Sequence, residues 1–198
     1  MIITKHIKEK TMIRPAKPTD KRAIAELTYI IWQDMELPIV KRFDKSHVIQ
    51  WLEQSITEIP YRCYYDNVQV YDVEGEVAGV IITYLGKDEM DLEENWLKLD
   101  LPKEAKAIGT PLPLREAKSD ELYIETVAVF PKYRGRGIAT QLMESVIHHS
   151  KTYKLSLSCD LVNTGAFRLY ERLGFHSEGV IDLYGHDYYH MVIEPQEG

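Results

Sequence analysis

Little in this sequence invites a covalent scaffold, a membrane or a polyanionic partner. Cysteine is nearly absent, with Cys63 and Cys159 the only two in 198 residues. That is too few for a disulfide framework and fits a reducing cytosol. Basic residues are outnumbered, 24 Lys+Arg against 31 Asp+Glu for a net charge of −7, which argues against nonspecific nucleic-acid binding. No apolar run approaches the length of a membrane span, and Met1-Ile2-Ile3 gives way to lysine too soon for a secretory signal. Repeats and low-complexity tracts are missing as well. The expectation is a cytoplasmic protein with neither a nucleic-acid nor a membrane partner, and 198 residues suffice for one generous domain.

What is present reads as alternating strands and helices. Met12 to Ala16 reads as a short strand, with Thr19 or Asp20 as a helix N-cap. Ile24, Leu27, Ile31 and Met35 share a helical face, and Pro38 is expected to stop that helix. Val48, Trp51, Leu52, Ile56 and Ile59 mark a second helix opening near Asp44. Val68–Val73 and Glu76–Leu85 form a predicted hairpin about Glu74-Gly75, with Gly79 as a bulge or close backbone approach.

Residues 86–119 are the least regular stretch, acidic at first and holding a short helix around Trp96. They read equally as a solvated excursion or a substrate-facing lid. Glu121 to Phe130 then reads as a central strand, and Gly137 opens a helix. Leu155 to Cys159 is a strand, Ala166 to Leu173 a short helix closed by Gly174, and Gly179 to Ile193 a final hairpin. This order implies an α/β fold with a mixed sheet, since hairpins alternating with crossover helices exclude an all-parallel one. An N-terminal extension over 1–11 and a single domain over 12–198, with an irregular insertion at 86–119, complete the expected organisation.

The sharpest chemical feature is the run from Val127 to Thr140. An apolar strand enters a turn rich in Arg and Gly, which opens into a helix. Gly135 and Gly137 let backbone N–H groups converge with no Cβ in the way, and with the helix N-terminus they form a phosphate cradle. Arg134 and Arg136 add positive charge to an otherwise acidic chain. A P-loop is excluded, because no Gly-Lys-Ser/Thr is present. A dinucleotide fingerprint is a decoy: Asp160 ends the next strand as a ribose-binding acid would, but Thr140 stands at the third glycine position.

A second pattern follows: Asn163, Ala166, Tyr170, Gly174 and Phe175, in Asn-x-x-Ala-x-x-x-Tyr-x-x-x-Gly-Phe. With Arg134-Gly135-Arg136-Gly137-Ile138-Ala139, it resembles the GNAT superfamily of acetyl-CoA-dependent N-acetyltransferases over about residues 12–194. That resemblance implies a splayed, mostly antiparallel mixed sheet flanked by helices. It also implies direct transfer of acetyl from acetyl-CoA to a primary amine of a small molecule or peptide, in a ternary complex and without a metal.

Carried over by position, the amides from Arg134 through Gly135, Arg136, Gly137, Ile138 and Ala139 to Thr140 would hold the CoA pyrophosphate. Val127, Ala128 and Val129 would meet the pantetheine arm by backbone groups, with the Val129 N–H on the thioester carbonyl. Asn163 and Ala166 would line that arm. Tyr170 would protonate the departing thiolate; without the motif it reads as a core tyrosine.

The base falls to Glu125, two strand positions before Val127 and expected on the same face. An ordinary paired carboxylate is an equal reading of it. Relatives with an acid on the next strand would place it at Ser158, so the serine shifts the choice to Glu125, with Asp160 as a helper. Acids near the cleft mouth, the 88–94 run among them, hint at a cationic acceptor such as a polyamine, an aminoglycoside or a lysine-like group.

His148, His149, His186 and His190 lack convincing ligand spacing for a metal. Cys159 reads as a small buried apolar side chain, and Tyr184, Tyr188 and Tyr189 read as packing or as pocket walls. The class-level alternative is a non-catalytic acyl-CoA-binding sensor or regulatory module. The resemblance also leaves a homodimer open.

Overall fold

The computed structural model describes residues 11–196. The extension predicted over 1–11 therefore lies, apart from Thr11, outside the described residues. Strand β1 (Thr11–Pro15) leads into α1 (Lys21–Asp34), the short α2 (Pro38–Arg42) and α3 (Lys45–Thr57). The hairpin β2 (Val68–Val73) and β3 (Glu76–Leu85) follows, then α4 (Glu89–Glu94) and α5 (Lys103–Lys106). The chain continues through β4 (Glu121–Val129), α6 (Ile138–His149), β5 (Lys154–Asp160), α7 (Thr164–Arg172), β6 (His176–Leu183) and β7 (His186–Ile193). One seven-stranded sheet runs β1-β2-β3-β4-β5-β7-β6, antiparallel throughout except for the parallel β4–β5 pair.

Each face of the sheet carries its own apolar layer. Helices α1 and α3 bury Ile24, Leu27, Trp32, Val48, Leu52 and Ile56 on one face. On the other, α6 buries Ile138, Leu142, Met143 and Val146 against Leu155, Leu157 and Cys159. At about 25 cal/mol per Å² of apolar surface, these two layers are the main term holding the helices on the sheet.

Two local expectations are corrected. Pro38 does not end α1; that helix stops at Asp34, with Glu36 turning to φ 55, and Pro38 starts α2, where its missing N–H costs nothing. Asp20 does sit at the N-cap of α1, but its carboxylate makes no cap hydrogen bond there. It instead accepts from Arg14 (2.7 Å) and from the Lys17 N–H (2.8 Å).

The 86–119 segment is not a solvated excursion; much of it packs into the core. Trp96, Leu99, Leu101, Ala105, Leu112 and Ala117 join the first apolar layer. Its acids are organised by a single buried cation, Arg62. The guanidinium donates to Glu93 (2.6 Å), to the Tyr84 hydroxyl (2.7 Å), to the Leu112 carbonyl (2.7 Å) and to Glu89 (3.2 Å). Glu93 in turn accepts from the Leu112 N–H (2.6 Å), and Glu89 from the Glu116 and Ala117 N–H groups (3.0 and 3.1 Å). Glu89 and Glu93 lie four residues apart, on one face of α4.

Breaking such a pair strands its buried charges. Arg62→Met is therefore expected to lower unfolding free energy by about 3–5 kcal/mol in urea titration, and an unchanged midpoint would show the network to be energetically idle.

Candidate active site

The site begins as a defect in the sheet. Ile82 pairs with Thr126 but Thr83 pairs with Ile124, which leaves Glu125 as an extra residue on β4. Such a bulge bends its strand and re-aims the side chains around it. Below it, Glu121, Leu122 and Tyr123 pair with β5 in parallel, and the ladder ends at Tyr123↔Ser156. Beyond it the two strands part. The bulge also corrects the expected facing of Glu125. Val127 and Val129 pack on the α6 layer, whereas Tyr123 belongs to the α1 layer. Glu125 sits with Tyr123, in the field of Arg62, Tyr84 and Glu116, on the opposite face from Val127.

Two adjoining clefts open along β4, the second also against β5, and they share Ile31, Asp34 and Val127. The first, of about 370 Å³, is walled by Leu27 and Ile30 of α1, by Val127, Ala128 and Val129, and by the turn from Tyr133 to Thr140. Phe130 donates its N–H to Ala78 on β3 (3.0 Å). Strand alternation therefore turns the N–H groups of Val127 and Val129 the other way, into the gap.

Gly135 and Gly137 adopt φ 77 and 74, and Gly137 is the N-cap of α6, so the first-turn amides of that helix point at the cleft. Arg134 lines it and donates to the Val129 carbonyl (3.2 Å), while Arg136 lies over the Tyr133 ring, 5.3 Å from its centroid. Gly79 allows the close approach of β3: a Cβ there would stand 2.9 Å from the Ala128 carbonyl oxygen.

The second cleft, of about 570 Å³, gathers Glu125, Ser158, Cys159, Asp160, Asn163, Ala166 and Tyr170. Burial, with Glu116 adding to it, pushes the Glu125 carboxyl up to about 8, against the opposing pull of Arg62 and of the Tyr84 hydroxyl. Its Oε2 has no hydrogen-bond partner among the described residues. Burial pushes the Tyr170 phenol up to about 12 and, with Asp160 contributing, the Cys159 thiol to about 11. A thiol so held is inert as a nucleophile. The Asn163 carboxamide caps α7 by accepting from the Ala166 N–H (3.1 Å).

The sequence-selected residues thus fall into two sets. Val127, Ala128, Val129, Arg134, Gly135, Gly137, Ile138, Ala139 and Thr140 line the first cleft, with Arg136 beside it. Glu125, Tyr170, Asn163 and Ala166 meet in the second. Tyr184 and Tyr188 wall that second cleft, whereas Tyr189 packs against Phe167, the rings tilted and 4.8 Å apart between centroids, in the α6 layer.

Glu116 escaped the sequence reading. It comes from the 86–119 segment, lines the second cleft, and accepts from the hydroxyls of Tyr123 (2.6 Å) and Tyr184 (2.8 Å). Burial raises its pKa despite Arg62, 3.8 Å away. None of the 88–94 acids lines either cleft: Glu89 and Glu93 are buried on Arg62, and Asp88, Asp91 and Glu94 are exposed.

His190 also has a partner that spacing did not suggest. Its Nε2 lies 3.0 Å from Glu121, and the Glu121, Glu178 and His190 donor atoms fall within 4.8 Å of one another. Glu178 is already held by Lys118 and Lys154, each at 2.6 Å, which keep its carboxyl down at about 2.

Residues 25–175 match the model of the Acetyltransferase (GNAT) family. A crystal structure of an N-acetyltransferase from Staphylococcus aureus Mu50 is similar at 49% identity and TM-score 0.90, covering 92% of this chain and 100% of that one. GCN5-related N-acetyltransferase 4, chloroplastic, of Arabidopsis thaliana is 37% identical over 68 residues, 33% of this chain and 23% of that protein. Probable N-acetyltransferase camello of Xenopus tropicalis is 27% identical over 121 residues, 56% of this chain and 55% of that protein. The chain thus spans about a quarter to half the length of these curated relatives.

Proposed function

The chain belongs to the acetyltransferase (GNAT) family, and on that footing we propose that it moves an acetyl group from acetyl-CoA directly onto an amine while both substrates are bound. The observation that carries this reading is that Glu125 and Tyr170 line one cleft while Val129 lines the cleft adjoining it. One of those clefts has the glycine-cradled helix N-terminus that suits a pyrophosphate. Cβ-free φ-positive positions at Gly135 and Gly137, with Arg134 alongside, fit a CoA phosphate there.

Bound in that groove, acetyl-CoA supplies a thioester for the amine to attack. Glu125 takes the proton that the amine sheds; with a pKa near 8 it matches the operating pH of a general base. The Val129 N–H donates to the carbonyl oxygen where negative charge builds. Tyr170 gives its phenolic proton to the sulfur as the C–S bond breaks and the C–N bond forms. The resulting phenolate and the protonated Glu125 exchange one proton through solvent to reset the site.

Tyr170 at about 12 suits this task because burial that lifts the phenol would lift a departing sulfur anion in the same direction, as burial does for the Cys159 thiol. Neither Cys159 nor a serine is arranged as an activated nucleophile, which favours direct attack over an acyl-enzyme.

The test is release of free CoA thiol from acetyl-CoA across a panel of amines, with a no-amine control. Amine-dependent release is expected. Silence across the panel together with a rise in Tm on adding acetyl-CoA would instead favour a CoA-binding module, and silence without that rise would overturn the cofactor assignment as well.

A further inference from the structure

The transfer step uses one carboxylate, yet the second cleft is lined by four: Asp34, Glu116, Glu125 and Asp160. No lysine or arginine lines it among the described residues, although the chain has 24 of them. Glu116 has Arg62 behind it and two tyrosine hydroxyls on it. Asp160 has neither. It lies on β5 two residues past Ser158, on the same face and roughly 7 Å further along the strand, directly across from Tyr188.

Its Oδ1 accepts the Val162 N–H (2.9 Å), which orients the carboxylate. Among the described residues its Oδ2 reaches only the His186 ring, at 3.9 Å, too long for a hydrogen bond. A carboxylate with a free oxygen beside an aromatic ring attracts an ammonium both by charge and by the ring face. Deeper in the cleft, Glu125 Oε2 and Ser158 Oγ are buried with no protein partner among the described residues, so polar atoms wait there for a ligand that donates hydrogen bonds.

We propose that the acceptor is an aliphatic diamine: one nitrogen reacts at Glu125 while a second, still protonated, is held by Asp160 beside Tyr188. The intervening methylenes lie along Ile31, Met35 and Tyr184 of the same cleft. This rests on the acetyl-transfer reading above, and it adds a specificity residue that touches substrate away from the reacting atoms.

The experiment compares α,ω-diamines of increasing chain length with n-alkyl monoamines of the same length, following thiol release from acetyl-CoA by the full chain. The best diamine is expected to exceed its matched monoamine by about tenfold in kcat/KM, carried mostly by KM. Asp160→Asn keeps an oxygen for the Val162 N–H but removes the charge, and is expected to collapse that ratio toward one. Asp160→Glu should restore part of it.

Equal kcat/KM for diamines and monoamines would overturn the diamine proposal while leaving acetyl transfer standing. A preference that survives Asp160→Asn would overturn the assignment of the second nitrogen to Asp160. No release with any amine would overturn acetyl transfer itself, and the diamine proposal with it.

Discussion

Tyr170→Phe is expected to lower kcat by about 100- to 10,000-fold, the range in which a positioned general acid contributes, with KM for the amine nearly unchanged. The substitution removes one oxygen and leaves the ring on Phe175, 6.1 Å between centroids, so Tm should move little. The loss has a signature that damage to the fold would not produce. Its cause is the poor departure of an unprotonated sulfur, so a thioester with a more acidic thiol should recover much of the rate. Within the useful pH range the parent should show no basic limb from Tyr170, because burial holds that phenol near 12. A Tyr170→Phe enzyme with the parent's kcat at every pH would remove the tyrosine from the chemistry.

Glu125→Gln should be at least as severe at neutral pH, lowering kcat/KM by about 100-fold or more, and it should alter the shape of the pH profile. In the parent, activity needs the carboxylate, so kcat/KM is expected to climb with pH and bend near pH 8, where burial and the nearby Glu116 place the carboxyl. The glutamine enzyme should lack that bend and follow only the ionisation of the amine.

The stability consequence runs in the opposite sense. Folding raises this pKa from the ordinary value of 4.5 to about 8, so between those values the folded state holds a proton that the unfolded chain has released. Stability then falls as pH rises through that window. Glutamine escapes the cost, and above pH 8 the inactive variant is expected to melt higher than the parent by about 4 °C. A lower melting temperature there would mean that Glu125 is a favourably paired carboxylate and not a desolvated base. Differential scanning calorimetry at pH 6 and pH 9 separates the two.

Glu116 and Arg62 set the height of that shift from opposite sides, Glu116 raising Glu125 and Arg62 lowering it. Both reach the site through the 86–119 segment or its buried contacts. The segment therefore bears on the charge of the candidate base, through Glu116 and through the buried Glu89 and Glu93 that hold Arg62.

Much of this was legible along the chain because it is local. The β2–β3 hairpin follows from Glu74-Gly75, whose positive φ values of 53 and 93 are those a tight two-residue turn needs. The cradle from Arg134 to Thr140 and the helix carrying Tyr170 are likewise written in consecutive residues, where glycine positions and helical spacing suffice. Long-range pairing decided the rest. A single extra residue on β4 reversed the face of Glu125, because a period-two pattern inverts wherever a bulge intervenes.

Arg62 sits between Tyr61 and Cys63 with nothing nearby to announce its partners, and its bonds run to Tyr84, Glu89, Glu93 and Leu112. Glu116 and Asp160 become walls of one cleft only when β5 and the 86–119 segment are brought beside β4. The sequence by itself determined the order of elements, the anion cradle and the candidate acid, since each depends on neighbours within a few residues. Only the tertiary structure decided the burial that raises the Glu125 carboxyl and the gathering of acids in the second cleft, because burial and Coulomb interaction depend on distances through space that no local pattern records.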